Sequence, residues 1–507
     1  MPDVERNGRV FSDGCGTISP GLLHRVWDEW TVSNKMKPTL IQIRFQGIKG
    51  MLSMDNRLKG EKLYFRESMR KFIGSPSWEV EMCSGNFNAL PMYLNRQFIK
   101  ILEDLRVPAD VFLRLQRKRV EELRMMTTST INASHFLEIH RIGTAANLPT
   151  LIKFIGYLGV SLEDDDFLRS VVEIAALAQL RELKYRARIK LDKGITLLGI
   201  MDETGFLKEG EIYCTFEDFE GGKKVLVGDR VLITRSPALF PGDIQVVKAV
   251  DATKNSLLSA LTNCIVFSQH GARDLPSQLS GGDLDGDLYN VIWDPELLPQ
   301  YTYPAADFPR VPPVDIGREV TRNDMSDFFI TFMETDQLGR ISTLHLQLAD
   351  RYSDGVFNST CINLATLAST AVDFSKTGIP VDLKRIPRND LIKPDFMAPG
   401  PHVFIEDKGL VFEEEYDNYD DGEDVVAALN PDFKKVQYYE SKKALGQLFR
   451  DIDERKFLQE IQSQARQRVS RTAGDKIMSK VLEYVKREAI LVQWEQYRPF
   501  AQKWRDT

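Results

Sequence analysis

The sequence predicts an α+β chain in which two strand-rich stretches flank a helical connector and a mostly helical region follows. Three observations carry this reading. Within residues 1–95, short apolar runs such as Leu40–Phe45 and Met51–Met54 are cut by Gly47, Gly50, Gly60 and Gly74, the spacing of short strands and turns. Over Arg96–Met126 apolar residues recur every three or four positions, broken once at Val107–Pro108, which is helical spacing. Around Arg186–Asp294 the short runs return: Val225–Val227 leads to Gly228–Asp229, Val231–Ile233 follows, then Gly242–Asp243. Gly–Asp pairs closing short strands predict tight turns in a compact barrel. The expected divisions are therefore 1–95, 96–185, 186–300 and 301–507. The Pro-rich Tyr303–Pro313 acts as a linker, and an acidic loop at 406–424 interrupts the last region.

At 507 residues the chain is too long for one ordinary core and suggests two to four domains. With 43% apolar and 27% charged residues, it has the composition of a folded protein. No run approaches the ~20 apolar residues of a membrane span. Asp3, Glu5 and Arg6 have no apolar run behind them, so the start does not read as a secretory signal. Cys15, Cys83, Cys214, Cys264 and Cys361 lie far apart without a C-x-x-C pair. This argues against a zinc ribbon or disulfide scaffold and for a reducing, intracellular setting, with nucleus and cytoplasm both open. The net charge of −7 argues at first against nucleic acid, but Glu406–Asp424 holds ten acids and one lysine, so the remaining residues sum to +2. A slightly basic body is compatible with a local basic channel.

The sharpest chemical feature is Ser280–Tyr289, SGGDLDGDLY, with carboxylates at Asp283, Asp285 and Asp287. In an extended chain, alternate positions project to one side. Three carboxylates there repel unless a cation sits among them, and oxygen-only ligands suit Mg²⁺. Gly281, Gly282 and Gly286 let the backbone bend and a bulky ligand approach. A solvated acidic turn is the plain alternative. An EF-hand is a poor competitor, because positions six and twelve from Asp283 hold Leu288 and Asp294 where Gly and Glu are needed. Apolar Leu288, Val291, Ile292 and Trp293 place the triplet beside a buried strand.

Other candidates are weaker singly. Arg235, in TRSPALFPGDIQ (234–245), precedes a Ser–Pro turn that would fix its direction toward a phosphate or ribose hydroxyl. Lys49 sits between Ile48 and Gly50, and Lys71 between Arg70 and Phe72. Phosphate transfer needs such cations beside a metal, although each also reads as an ordinary surface lysine. The six histidines are scattered, and Gly339 and Gly378 read as turns or close packing without a Walker pattern. Arg114, Arg117, Lys118, Arg119 and Arg124, interrupted by Glu121 and Glu122, fit a solvated helix face or an RNA-backbone contact equally well. EEEYDNYDDGED (413–424) reads as a disordered acidic segment in which Tyr416 and Tyr419 could mark a docking site.

Taken in order, VFSDGCGTIS (10–19), QIRFQGIKG (42–50), SMRKF (68–72), LNRQFIKILEDL (94–105), TRSPALFPGDIQ (234–245), SGGDLDGD (280–287), AVDFSKTGIPV (371–381) and YYESKKALGQLFRDID (438–453) resemble the catalytic core of the eukaryotic cellular RNA-dependent RNA polymerases of RNA silencing. The resemblance implies two double-psi β-barrels joined by a helical connector, then a mostly helical neck and head. It implies that Asp283, Asp285 and Asp287 are catalytic and hold Mg²⁺, with two ions during catalysis, one arriving with the nucleotide. Lys49 and Lys71 match positions facing the nucleotide phosphates, Arg235 matches the arginine that reads the sugar, and Lys376 lies in DFSKTG. The implied activity is RNA-directed RNA synthesis from ribonucleoside triphosphates on single-stranded RNA, giving double-stranded RNA. A homodimer and silencing partners such as a dicer-type nuclease or helicase belong to the same implication. Two rival readings stand beside it: a DNA-dependent RNA polymerase core, and an RNA-binding paralogue without synthesis. Family members usually carry several hundred residues before the first barrel, whereas Arg9 is eight residues from Met1. The expectation is thus a truncated gene model, a fragment or a minimal member with altered template affinity. His270 and Gln278 also stand where lysines are more frequent, predicting weaker template contacts nearby.

Overall fold

The structure is a computed structural model that describes residues 1–30, 37–162, 165–218, 221–307, 311–388, 391–406, 409–412 and 436–468. The acidic segment 413–424, with Tyr416 and Tyr419, lies outside the described residues. The chain divides into two compact units. The first comprises Met1–Phe112, Arg188–Pro394 and Gln437–Gly446; the second comprises Leu113–Ala187, Asp395–Val436 and Gln447–Thr507.

In the first unit, β1 (Cys15–Ile18), β2 (Leu40–Phe45), β3 (Ile48–Met54), β4 (Leu63–Tyr64) and β5 (Glu81–Gly85) form a five-stranded sheet in the order β4-β1-β3-β2-β5. β1 and β3 run parallel, while β2 and β3 form an antiparallel hairpin. Its two-residue loop, Gln46–Gly47, has φ of 48° and 82°. Left-handed geometry at both central positions matches the right-handed twist of the strands. Leu40 and Ile41 are both almost fully buried, yet they serve different cores because neighbouring strand residues face opposite ways.

Beyond β6 (Leu90–Tyr93), six strands close into a barrel: β7 (Lys190–Met201), β8 (Glu211–Glu217), β10 (Gly228–Arg235), β11 (Ile244–Ala249), β12 (Cys264–Phe267) and β13 (Leu288–Ile292). Around the ring, β8 pairs with β11, β11 with β10, β10 with β13, β13 with β7, β7 with β12, and β12 with β8. The β8–β11 and β7–β12 pairs are parallel and the rest antiparallel. Closure leaves no free edge in the ring. β9 (Lys223–Leu226) pairs on β8, and β6 pairs on β7. The Gly–Asp pairs do not close strands as the sequence suggested: Gly228–Asp229 opens β10, and Gly242–Asp243 lies in a single 3₁₀ turn.

One core joins sheet and barrel. Phe11, Cys15, Leu40 and Met51 pack with barrel residues including Leu197, Ile233, Val266 and Tyr289. Polar links cross the same boundary, among them those of Asn86 and Arg66. Asn86 accepts from the amides of Thr39 and Leu40, both at 2.9 Å, and donates to Thr39 Oγ1 at 2.8 Å and to Thr262 O. Arg66 forms a two-pronged pair with Glu203 at 2.9 and 2.8 Å, with side chains only 1% and 6% exposed.

The helices Leu338–Arg351 and Ser359–Thr377 pack on one another. The second starts on Asn358, whose side chain accepts from the Thr360 amide, and ends at Gly378 with φ 74°. Gly378 is therefore a turn, whereas Gly339 lies inside a helix. In the helix Arg96–Asp104, the buried Lys100 is held by Glu103 at 2.9 Å and Asp104 at 2.7 Å.

The second unit gathers the helices Thr130–Ile139, Leu148–Tyr157, Asp166–Arg186 and Glu454–Arg468. The basic run of the connector pairs within this unit: Arg117 with Asp451 at 2.9 Å, Arg119 with Glu122 at 2.6 Å and Arg124 with Glu460 at 3.0 Å. These side chains are engaged by protein carboxylates. Among the described residues no helix is long and apolar enough to cross a membrane.

Candidate active site

Asp283, Asp285 and Asp287 sit in the loop between the one-turn helix Leu275–Gln278 and β13. An extended strand would project alternate carboxylates to one side, but the segment bends at Leu284–Gly286 after a turn at 279–281. Ser280 (φ 54°), Gly281 (φ 66°) and Gly286 (φ 132°) adopt left-handed backbone. One carboxylate oxygen from each aspartate lies within 4.8 Å of the others.

The backbone of this loop is pinned from several sides. The Leu284 amide donates to Asp13 O at 2.8 Å. Gln42 on β2 donates through Nε2 to Asp285 O at 2.8 Å and accepts from Ser84 Oγ at 3.0 Å. The buried Tyr289 hydroxyl donates to Asp283 O at 2.7 Å. Inside the loop, the Asp283 amide donates to Asp287 Oδ2 at 2.9 Å and the Asp285 amide to Asp283 Oδ1 at 3.2 Å. Gly14, with φ 84°, lets the β1 approach touch the loop: a Cβ there would lie 2.6 Å from Asp285 Cβ.

Each carboxylate meets a different base. Lys49 Nζ lies 2.9 Å from Asp285 Oδ2, and Lys71 Nζ lies 4.0 Å from the same oxygen. Lys49 projects from β3 just after the Gln46–Gly47 turn. Lys71 is brought beside it because its amide donates to Gly47 O at 2.8 Å and Arg70 bridges Ile48. Arg235, the last residue of β10, grips Asp287 through Nε at 2.7 Å and Nη2 at 3.1 Å, while Nη1 donates to Ser280 O at 3.1 Å. Burial works against the Arg235 charge, but the Asp287 carboxylate outweighs it and holds the guanidinium above its ordinary value. Lys376, in the last turn of the Ser359–Thr377 helix, reaches Asp283 Oδ2 at 3.4 Å. Burial again opposes its charge, and Asp283 and then Asp285 raise it. All seven residues singled out from the sequence thus come together.

Several supporting residues were not singled out. Gln42 and Asp13 lie inside matched motifs but carry no signal of their own. Asp243 is buried and accepts from the amides of Leu239 and Phe240 at 3.0 and 2.9 Å, shaping the loop that follows Arg235. Its burial pushes the carboxyl up to about 7, although those amides and Arg235 pull the other way.

Asp283, Arg235 and Lys376 line a cavity of about 550 Å³, a volume suited to a small organic ligand. Lys49 and Lys71 line a separate recess of about 820 Å³ with Arg44, Phe45 and Phe72. Three hard carboxylate donors this close suit a divalent cation better than a soft or redox metal. The surrounding bases would repel that cation alone but would welcome it with phosphate. Fold and site together describe a β-barrel protein with a cluster of three carboxylates that could hold a divalent cation, ringed by bases.

The profile of the family described as "RdRP: RNA dependent RNA polymerase" matches residues 1–452. RNA-dependent RNA polymerase 6 of Arabidopsis thaliana is 34% identical over 421 residues, covering 78% of this chain and 34% of that protein. Probable RNA-dependent RNA polymerase 1 of Oryza sativa subsp. japonica is 34% identical over 411 residues, covering 80% and 54%. RNA-dependent RNA polymerase 1 of Schizosaccharomyces pombe is 32% identical over 428 residues, covering 78% and 34%. The chain belongs to the RNA dependent RNA polymerase family. It spans about a third to a half of the length of these curated relatives. The solved structure of RNA dependent RNA polymerase QDE-1 from Thielavia terrestris superposes with a TM-score of 0.66 at 21% identity, over 94% of this chain and 54% of that one. At that identity the likeness is one of fold.

Proposed function

We propose that this chain is the catalytic core of an RNA-directed RNA polymerase, joining ribonucleotides on a single-stranded RNA template to give double-stranded RNA for silencing. The observation that carries this reading is the pairing of three close carboxylates with three separate bases, Asp283 with Lys376, Asp285 with Lys49 and Asp287 with Arg235. A solvated acidic turn would not recruit a base to each acid from three different elements.

Asp283, Asp285 and Asp287 would hold Mg²⁺. Bound there, the ion would supply Lewis-acid activation of a ribose 3′-hydroxyl and offset charge on the phosphate under attack. The chain's own part is position and charge. Lys49 and Lys71 approach Asp285 from the five-stranded sheet and suit the phosphate under attack. Arg235, its fork fixed by Asp287 and Ser280 O, suits a ribose hydroxyl beside the triad. Lys376 adds an ammonium at Asp283. No side chain need act as a covalent nucleophile.

The finer architecture belongs to the same proposal. The sheet and barrel are read as two double-psi β-barrels, with divisions near residues 95, 185 and 300 and a helical neck and head beyond. Support comes from the parallel pairs β1–β3, β7–β12 and β8–β11 among otherwise antiparallel strands. The test is ribonucleotide incorporation by the purified chain on single-stranded RNA and on single-stranded DNA of the same sequence. Complementary RNA made on the RNA template supports the reading. Synthesis on DNA alone would replace it with the DNA-dependent reading.

A further inference from the structure

The cavity beside Asp283, Arg235 and Lys376 contains two more guanidinium groups, Arg9 and Arg273, that the polymerase reading leaves without a task. Arg9 is delivered by a short hairpin, Glu5–Arg6 with Arg9–Val10. The sequence encodes its turn: Asn7 and Gly8 have φ of 50° and 71°, the left-handed pair that a two-residue Asn–Gly loop adopts. The hairpin is seated on the approach to the triad. Arg6 Nε donates to Gln269 O at 2.6 Å and Asn7 Nδ2 to Ala272 O at 3.1 Å.

Arg273 is the next residue along that docked segment. Its Nε donates to Ser277 Oγ at 3.0 Å and its Nη2 to Ser277 O at 2.7 Å, so the one-turn helix fixes its direction. Asp274 holds Ser277 in turn, accepting from its amide at 2.8 Å and its hydroxyl at 2.9 Å. Among the described residues no carboxylate comes within ion-pair distance of Arg273. Burial, and next the charge of Arg9, hold its guanidinium below the ordinary value. Arg9 itself pairs with Asp307 at 2.6 Å, and Asp307 is 69% exposed. An exposed carboxylate on a cavity arginine is readily exchanged for a better anion, since exposed pairs contribute little.

We propose that Arg9 and Arg273 form a phosphate-binding subsite for the terminal phosphates of a nucleoside triphosphate whose reacting end lies at the aspartate triad. The proposal rests on the polymerase reading for the identity of the ligand. The chemistry is independent of it: two forks line one cavity, one with no carboxylate within ion-pair distance among the described residues and the other holding an exchangeable one. A guanidinium fork matches phosphate oxygens in pairs. Asp307 is then a stand-in for the anion, released on binding.

The test is equilibrium binding of GTP, GMP and inorganic tripolyphosphate to the full chain, by titration calorimetry in Mg²⁺. The Arg9→Gln/Arg273→Gln protein should bind GTP and tripolyphosphate about tenfold or more weakly and GMP within about twofold of the parent, the scale of losing charged hydrogen bonds. Asp307→Asn should bind tripolyphosphate as tightly or more tightly. Arg9→Gln alone, in an exposed hairpin, carries the test should the double variant fold poorly. Equal tripolyphosphate affinity in parent and variants would overturn the proposal, as would a proportional loss of GMP, which marks damage to the cavity. An RNA oligonucleotide losing affinity while tripolyphosphate does not would overturn it too, assigning the pair to an RNA phosphate. Arg9-dependent tripolyphosphate binding by a parent chain that incorporates no nucleotide would uphold the subsite and remove the polymerase reading.

Discussion

Lys49 Nζ and Asp285 Oδ2 are 2.9 Å apart, although 236 positions separate them in the chain. The base stands on a strand of the open sheet, and the acid stands in a loop of the barrel. Neither half contains a complete site. The sheet brings Lys49, Lys71 and Gln42, the barrel brings the aspartates and Arg235, and the Ser359–Thr377 helix brings Lys376.

Replacing Asp285 with Ala should abolish RNA synthesis, by at least about a hundredfold, while leaving the fold intact. Among the described residues its side chain pairs with Lys49 and Lys71 alone, and Ala keeps the Cβ that meets Gly14. Incorporation assays beside a melting curve check this. Retained synthesis in the mutant would remove the metal assignment.

Lys49→Met has a less obvious expectation. Asp285 loses its nearest counter-charge, and the triad becomes more negative. Affinity for Mn²⁺, read by electron paramagnetic resonance without nucleotide, should rise by about three- to fivefold, the scale of one partly exposed ion pair. The KM for nucleotide should rise as well, because the same ammonium no longer offsets phosphate charge. Weaker Mn²⁺ binding in this variant would contradict the pairing.

Arg66→Met should cost about 3–5 kcal/mol of stability, because Glu203 is left buried without a partner. Both side chains are almost fully covered. Arg66→Met/Glu203→Leu should recover much of that loss, because no charge remains to be desolvated. Urea unfolding of the three proteins measures the difference, and a double variant weaker than the single would refute the argument.

Asp243 predicts a pH dependence of stability. Burial raises its folded pKa to about 7 from an ordinary 3.8. The folded state therefore holds the proton more tightly than the unfolded state. This contribution is fully present below about pH 4 and is lost progressively as pH rises to about 7, by about 1.4 kcal/mol per unit. Asp243→Asn keeps an oxygen for the Leu239 and Phe240 amides and removes the proton. Its unfolding midpoint should change less between pH 5 and pH 8 than that of the parent, measured in urea at both values.

The parts of the site legible in the sequence were those whose chemistry is local. Three aspartates within five residues announce themselves whatever backbone carries them, which is why the triad was found although the extended-strand argument for it was not the operative one. Lys49, Lys71, Arg235 and Lys376 were legible only through the ordered motifs, since a single base in a loop has no signature. Gln42 and Asp13 act through backbone atoms of a partner hundreds of positions away, and no local pattern marks such a bond. Arg9 is different: the Asn7–Gly8 turn signal was present in the chain, but its relation to Arg273 exists only after folding. The connector's basic run was ambiguous for the opposite reason, because its carboxylate partners Asp451 and Glu460 lie far downstream.

The seating of the aspartate loop on Asp13 O and Gln42 sets an order on the chain's birth. At about 5–20 residues per second of ribosomal elongation, the 236 positions between Lys49 and Asp285 take roughly 12–47 seconds to synthesise. Until the last barrel strand, Leu288–Ile292, has been made, the sheet is without the complete barrel that shares its core, so Leu40 and Met51 lack part of their packing. Codon choice and growth temperature should therefore influence the yield of soluble chain more strongly than a stability measurement on the finished molecule would suggest.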